Sequence, residues 1–90
     1  MNVSELMKIV RDEGLEAPSI YGVGLPQSET VVLERDGDRW RAFVSDERGG
    51  ALSKTLREFD SETEALDYVL AKVRQATRYH RARQARSAEQ

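Results

Sequence analysis

The chain has 90 residues, no cysteine and a formal net charge of -2 at neutral pH. A chain of this length forms one small domain with a thin hydrophobic core, and without cysteine it cannot build a disulfide framework or a thiolate zinc site. Acidic residues interrupt the apolar residues at its start, and no stretch is long enough to span a bilayer. We therefore expect a cytoplasmic protein with no membrane segment.

The charges are unevenly distributed along the chain. Residues 1–70 hold 8 Lys and Arg against 15 Asp and Glu, a balance of -7, whereas residues 71–90 hold 6 against 1, a balance of +5. Because an acidic body repels a phosphate backbone, a nucleic-acid ligand would have to be held by the basic segment alone. A basic protein partner suits the acidic body better.

The first predicted element is an amphipathic helix. Asn2 is placed to cap it, with Glu5 three residues further on, and apolar residues recur at helical spacing until Gly14 ends it. Residues 15–28 contain two prolines and two glycines without a sustained period. This stretch is typical of a long irregular connection.

Residues 29–45, ETVVLERDGDRWRAFVS, predict a β-hairpin because two alternating runs flank Asp36-Gly37. With those two residues as the turn, Leu33 faces Trp40 across the strands. The side chains predicted to face the core are Val31, Leu33, Trp40, Ala42 and Val44. The side chains predicted on the opposite, outer face are Thr30, Val32, Glu34, Arg39, Arg41 and Phe43.

Two further elements complete the predicted fold. Residues 51–59, ALSKTLREF, indicate a third strand at a sheet edge, and Ser61 with Glu64 forms a capping box that opens a second helix. We expect an α+β fold in which an N-terminal helix, a three-stranded antiparallel meander and a C-terminal helix follow one another, both helices packing on one sheet face. Residues 1–80 form the domain, and residues 81–90 form a frayed basic tail.

The basic stretch RYHRARQAR, residues 78–86, has three interpretations. Basic residues near a helix C-terminus are favoured by the helix dipole by roughly 0.3–1 kcal/mol each, so a solvated helix end is the first interpretation. Nucleic-acid binding is the second, with only Tyr79 and His80 to supply rings between the cations. Contact with an acidic protein surface is the third.

The sequence shows no catalytic constellation and no cofactor motif. Its one histidine, His80, lies in the basic stretch, and we expect it to be exposed and away from any apolar pocket. Residues 36–38 begin like a calcium loop, but Trp40 occupies the next ligand position. Residues 22–24 begin like a phosphate-binding fingerprint, but Gln27 replaces its last glycine. We expect a noncatalytic protein with no metal and no cofactor.

Residues 24–70 contain several short motifs that resemble those of one group of proteins. The motifs are Gly24-Leu25-Pro26, a strand led by Trp40, Glu47-Arg48-Gly49, Phe59-Asp60-Ser61-Glu62 and Glu64-Ala65. They are similar to motifs of the small bacterial immunity proteins encoded beside polymorphic secreted toxins, including NAD glycohydrolase toxins of the tuberculosis necrotizing toxin type. Phe43 and Val44 stand where the relatives have tyrosines. The resemblance implies a noncatalytic inhibitor that occludes the active site of a cognate toxin domain.

We predict that the toxin domain binds the outer sheet face, where Glu34 is expected opposite Arg39, and the turn that follows. An aromatic side chain beside arginines is typical of interface hot spots, and acidic side chains in the turn would mimic a phosphate-bearing ligand such as NAD. The predicted contact residues are Val32, Glu34, Arg39, Arg41, Phe43, Asp46, Glu47 and Arg48. The alternative functions are a generic protein-interaction module, and a nucleic-acid-linked accessory protein that uses the basic tail. The connection 15–28 is an alternative interface.

Overall fold

A computed structural model describes residues 1–22, 30–45 and 53–88, with side chains described as far as Arg83. The elements in chain order are α1 (Val3–Glu13), β1 (Ser19–Ile20), β2 (Val31–Asp36), β3 (Arg39–Val44), a 3-10 turn (Ser53–Thr55), β4 (Arg57–Phe59) and α2 (Glu62–Ala88). The predicted α+β class and helix–sheet–helix order are confirmed. In this described part of the chain the sheet has four strands in the order β1-β2-β3-β4 and is mixed, so the prediction of a purely antiparallel three-stranded sheet was wrong.

The additional strand, β1, lies inside the predicted irregular connection. It runs parallel to β2, with Ser19 beside Val32 and Ile20 beside Leu33. The Tyr21 amide adds a hydrogen bond to the Leu33 carbonyl at 2.9 Å. A strand of two residues is too short to show an alternating pattern, so hydrophobic periodicity does not reveal it.

The hairpin forms as predicted, but its turn is Gly37-Asp38 and not Asp36-Gly37. Asp36 faces Arg39 and Arg35 faces Trp40, so the predicted pairings of Leu33 with Trp40 and of Glu34 with Arg39 were wrong. Gly37 adopts φ 60° at the first turn position, as a type II′ turn requires. Because the pairing moves by two residues, every strand side chain keeps its predicted face.

Both helix starts are capped as predicted. The Asn2 side chain accepts a hydrogen bond from the Glu5 amide at 2.8 Å, and the Ser61 hydroxyl accepts one from the Glu64 amide at 3.2 Å. Gly14 ends α1 in the left-handed conformation with φ 66°. A residue with a Cβ would be strained there, which explains the glycine.

The core lies between α2, the inner sheet face and α1. The backbone of α2 approaches β2, β3, β4 and α1, whereas the only described element that α1 approaches closely is α2. The prediction that both helices pack on the sheet therefore holds directly for α2, while α1 packs on α2. The buried core side chains are Leu6, Val10, Ile20, Val31, Leu33, Ala42, Ala65, Leu66, Val69 and Val73.

The predicted third strand is only partly a strand. Residues 51 and 52 lie outside the described part of the chain, and the 3-10 turn occupies the next three positions. The Thr55 hydroxyl accepts a hydrogen bond from the Val44 amide at 2.9 Å, and its carbonyl accepts one from the Tyr68 hydroxyl at 2.5 Å. A side-chain hydrogen bond thus replaces ladder pairing at Thr55, and among residues 53–59 regular pairing with β3 is made by Arg57–Phe59.

Candidate partner-binding site

The outer sheet face, which points away from α2, carries charged side chains from adjacent strands. Arg41 on β3 donates from Nη2 to Glu34 Oε2 on β2 at 3.0 Å, and Glu58 on β4 lies beside Arg41 in the register. The hydrogen bond to Glu34 raises the pKa of the Arg41 guanidinium, opposing the smaller effect of desolvation. Arg41 is therefore a fixed positive charge between acidic neighbours.

A second arginine extends this arrangement to the end of β4. Arg39 contacts Glu58 Oε2 from Nη1 at 3.4 Å and Asp60 Oδ1 from Nε at 3.5 Å. We call the resulting set the outer charge ladder: Glu34, Arg39, Arg41, Glu58 and Asp60. Its side chains are accessible, with 63% of Arg39 and 86% of Asp60 exposed. Such exposed ion pairs stabilise a fold by at most about 1 kcal/mol each, so the fold does not depend on them.

The two apolar residues predicted for this site are buried. Val32 and Phe43 face each other across β2 and β3 and are only 7% and 8% exposed. The expectation that Phe43 is an exposed contact residue was therefore wrong. Alternation along the strands assigned the two side chains correctly to the outer face, but it cannot tell whether that face is covered at a given point.

The eight predicted contact residues thus separate into three groups. Glu34, Arg39 and Arg41 come together in the outer charge ladder. Val32 and Phe43 lie on the same face but are buried. The turn residues of the predicted site lie outside the described part of the chain; they are Asp46, Glu47 and Arg48.

A polar cluster that the sequence did not predict joins Tyr21, the residue after β1, to β3 and α2. Trp40 Nε1 donates to Tyr21 Oη at 2.9 Å, and Tyr21 Oη donates to Glu62 Oε2 at 2.6 Å. The Arg35 guanidinium lies 5.3 Å from the centre of the Trp40 ring. Burial, followed by the hydrogen bond to Glu62, raises the pKa of Tyr21. Tyr21 lies in the predicted irregular connection, and no local pattern indicates its partners, because Trp40 and Glu62 lie 19 and 41 residues further along the chain.

The basic end of α2 contacts the end of α1 and is not simply solvated. Arg74 holds Glu13 with two hydrogen bonds, Nε to Oε1 at 3.0 Å and Nη2 to Oε2 at 2.5 Å, and these lower the pKa of Glu13. Arg81 Nη2 donates to the Gly14 carbonyl at 2.9 Å. This carbonyl belongs to the cap of α1, where a cationic donor is favourable.

His80 belongs to the same set of contacts. Its Nδ1 lies 2.6 Å from Glu16 Oε1, and the Glu16 amide donates to the Thr77 hydroxyl at 3.0 Å. The histidine is half-buried and also lines an apolar groove beside α2. The expectation of an exposed histidine away from any apolar pocket was wrong, because the chain following α1 packs against it.

Within residues 1–22, 30–45 and 53–88, no three His, Asp or Glu side chains converge in a way that would hold a metal ion. None of the helices in those ranges has the length and apolar character needed to cross a membrane. Comparison with known protein families, curated proteins and solved structures gives no match.

Proposed function

We propose that this chain is a noncatalytic immunity protein that binds a cognate secreted toxin domain and occludes its active site. The observation that carries this proposal is the outer charge ladder, in which three strands hold alternating acidic and basic side chains on the face away from α2. Strands restrict the backbone, so a partner can meet these charges with little loss of conformational freedom on binding. A rigid, charged and accessible face suits recognition of one complementary protein surface.

The charge pattern also suits rapid and selective association. Complementary charges steer a partner during diffusion and exclude partners with the wrong pattern. The balance of -7 over residues 1–70 favours a partner with a basic cleft, such as one that binds a phosphate-bearing substrate. An NAD glycohydrolase is a toxin of that kind. Asp46 and Glu47, which follow β3 closely in the chain, supply the carboxylates that would mimic the substrate phosphates.

The test is coexpression with the toxin domain encoded beside this gene, with cell survival, NAD level and complex formation as readouts. The test variant is Arg39→Gln with Arg41→Gln, which removes both cations of the ladder. The matched control is Arg11→Gln with Arg78→Gln, which removes two exposed arginines from the helices. We expect the ladder variant to bind about tenfold more weakly or worse, and the control to change binding by less than about threefold.

Two results would count against this proposal in different ways. If the wild-type chain binds no adjacent toxin domain and gives no protection, the immunity function is wrong. If the wild type protects and the ladder variant protects equally well, the function stands but the interface lies elsewhere. Circular dichroism melting of both double variants checks that neither effect comes from unfolding.

A further inference from the structure

A groove runs along α2, and His80, which contacts Glu16, forms part of its lining. It has a volume of about 390 Å³ and lies between α2, the end of β3 and the 3-10 turn. We call it the α2 groove; its described lining residues are Val44, Thr55, Lys72, Gln75, Ala76, Tyr79 and His80. Its exposed lining is mainly apolar although it is carried by a strongly basic helix segment.

Tyr79 is the most exposed large hydrophobic residue of the described chain, with 58% of its surface accessible. The other exposed one, Tyr21, is 40% accessible and has its hydroxyl engaged by two partners. The Tyr79 hydroxyl has no hydrogen bond within the described residues. The Arg83 guanidinium lies 5.8 Å from the Tyr79 ring centre, a cation–π arrangement. An exposed tyrosine beside an arginine is the composition that dominates binding energy at interfaces.

The basic residues of α2 fall into two groups that lie on different sides of the helix. Arg74 and Arg81 face α1 and are engaged by Glu13 and Gly14. Lys72 and Arg83, on the groove side, form no ion pair within the described part of the chain. The nearest recorded contacts of Lys72 Nζ are Gln75 Oε1 at 3.3 Å and the Tyr68 ring, whose centre is 5.6 Å away.

The two unpaired cations bracket the exposed tyrosine. Lys72 precedes Tyr79 by seven residues and Arg83 follows it by four, which are nearly whole helical turns, so all three share one stripe of α2. Ala76, between them on this stripe, leaves space beside the ring. The stripe therefore presents an apolar pocket with a positive charge at each end.

We propose that the α2 groove binds an acidic segment of a partner protein. An apolar side chain of that segment packs on Tyr79 and Ala76, while carboxylates on either side pair with Lys72 and Arg83. A nucleic acid fits the groove less well, because single strands need aromatic rings for successive bases, and among the described residues Tyr79 is the one exposed large hydrophobic side chain that lines the groove. This surface is separate from the outer charge ladder, which faces away from α2.

The experiment is a fluorescence anisotropy titration with a short synthetic peptide of Glu and Asp around one central Leu. The comparison probes are the same peptide with Gln and Asn in place of the acids, and an oligothymidylate of similar charge. We expect the acidic peptide alone to bind the wild-type chain, with an affinity that falls as salt rises. Tyr79→Ala should weaken binding by about tenfold and Arg83→Gln by about fivefold.

Arg78→Gln is the matched control, because it removes the same charge from α2 outside the groove stripe. It should change peptide affinity by less than about twofold. Equal losses in Arg78→Gln and Arg83→Gln would overturn the proposal, since binding would then follow net charge alone. Tighter binding of the oligothymidylate, or no binding of the acidic peptide, would also overturn it.

A second copy of this chain is the remaining candidate occupant of the α2 groove, and it must be distinguished from a segment of another protein. Light scattering should show a monomer at the concentrations used for the titration. A dimer that disappears in Tyr79→Ala would overturn the proposal and identify a second copy as the occupant. None of these variants touches the outer charge ladder, so failure here leaves the toxin-binding proposal untouched.

Discussion

Tyr21 adopts a backbone conformation that a bulky side chain rarely takes. Its φ is 51°, and it is the one residue other than glycine with a positive φ in the described chain. Such a conformation costs on the order of 1–3 kcal/mol unless neighbouring contacts hold it. Here the Tyr21 amide donates a hydrogen bond to the Leu33 carbonyl. The Tyr21 hydroxyl accepts one from Trp40 and donates one to Glu62. These contacts join the start of α2 to the sheet.

Tyr21→Phe keeps the ring and removes both side-chain hydrogen bonds. We expect it to lower the free energy of unfolding at pH 7 by about 1 kcal/mol in urea titrations, and Tyr79→Phe to leave it unchanged. Because the pKa of Tyr21 is raised on folding, the protonated hydroxyl favours the folded state at neutral pH. That contribution is lost as the pH rises above about 10 and passes the raised pKa of Tyr21 in the folded chain, because the hydroxyl then loses its proton. The free energies of unfolding of the wild type and Tyr21→Phe should therefore converge above that pH. A difference that persists would contradict the stabilising role of the protonated Tyr21 hydroxyl.

Phe43 is expected to contribute to stability, because the structure buries it. Phe43→Ala should lower the free energy of unfolding by about 3 kcal/mol, as truncations of buried phenylalanines do. Tyr79→Ala is the control, since an exposed aromatic should change stability by less than about 0.5 kcal/mol. Urea denaturation followed by circular dichroism measures both. A change below about 1 kcal/mol for Phe43→Ala would indicate that this side chain is accessible in solution.

Among the elements, α2 continues well beyond its apolar stripe. The apolar stripe of α2 ends at Val73, but the helical turns that follow form hydrogen bonds with the residues after α1. Thr77 is only 3% exposed, and its hydroxyl accepts a hydrogen bond from the Glu16 amide. Arg81 donates a hydrogen bond to the carbonyl of Gly14, the residue that caps α1. Polar contacts thus extend the folded body to residues that hydrophobic patterning assigned to a frayed tail.

Shortening α2 at two positions tests where the folded body ends. A chain ending at Arg83 should melt as the full-length chain does, whereas one ending at His80 should melt about 4 °C lower because it loses the hydrogen bond from Arg81 to Gly14. Arg81→Ala in the full-length chain is the control and should reproduce most of that decrease. Equal melting temperatures for both truncations would show that the contact contributes nothing.

For the molecule as a whole, α2 is the element on which α1, β2, β3 and β4 pack. Leu66, which is fully buried, belongs to the one core cluster that includes residues of α1 and of the sheet. Leu66→Ala should lower the free energy of unfolding by about 2–5 kcal/mol. Trp40 fluorescence and helical circular dichroism should still change at the same urea concentration, since one core unfolds as a unit. Separate transitions would mean that α1 and the sheet unfold independently.

Several features followed from the sequence because their physical causes are local. The Asn2 and Ser61 caps depend on hydrogen bonds to an amide three residues away, and the strand faces depend on alternation that an even shift in register preserves. The charged part of the candidate site, with Arg39 and Arg41 on the outer face, followed from the same alternation. The acidic partners of Arg39 did not, because Glu58 on β4 and Asp60 just after it reach Arg39 only once β4 pairs with β3.

By itself, then, the sequence determined the α+β class, the helix starts, the hairpin and the inner and outer faces of β2 and β3. Only the tertiary structure decided that β1 joins the sheet, that Phe43 is buried, and which basic residues of α2 are engaged. Each of these depends on contacts between residues far apart in the chain, such as Arg74 with Glu13, 61 positions away. Those contacts leave no periodic pattern in the sequence, because the folded chain alone brings their partners together.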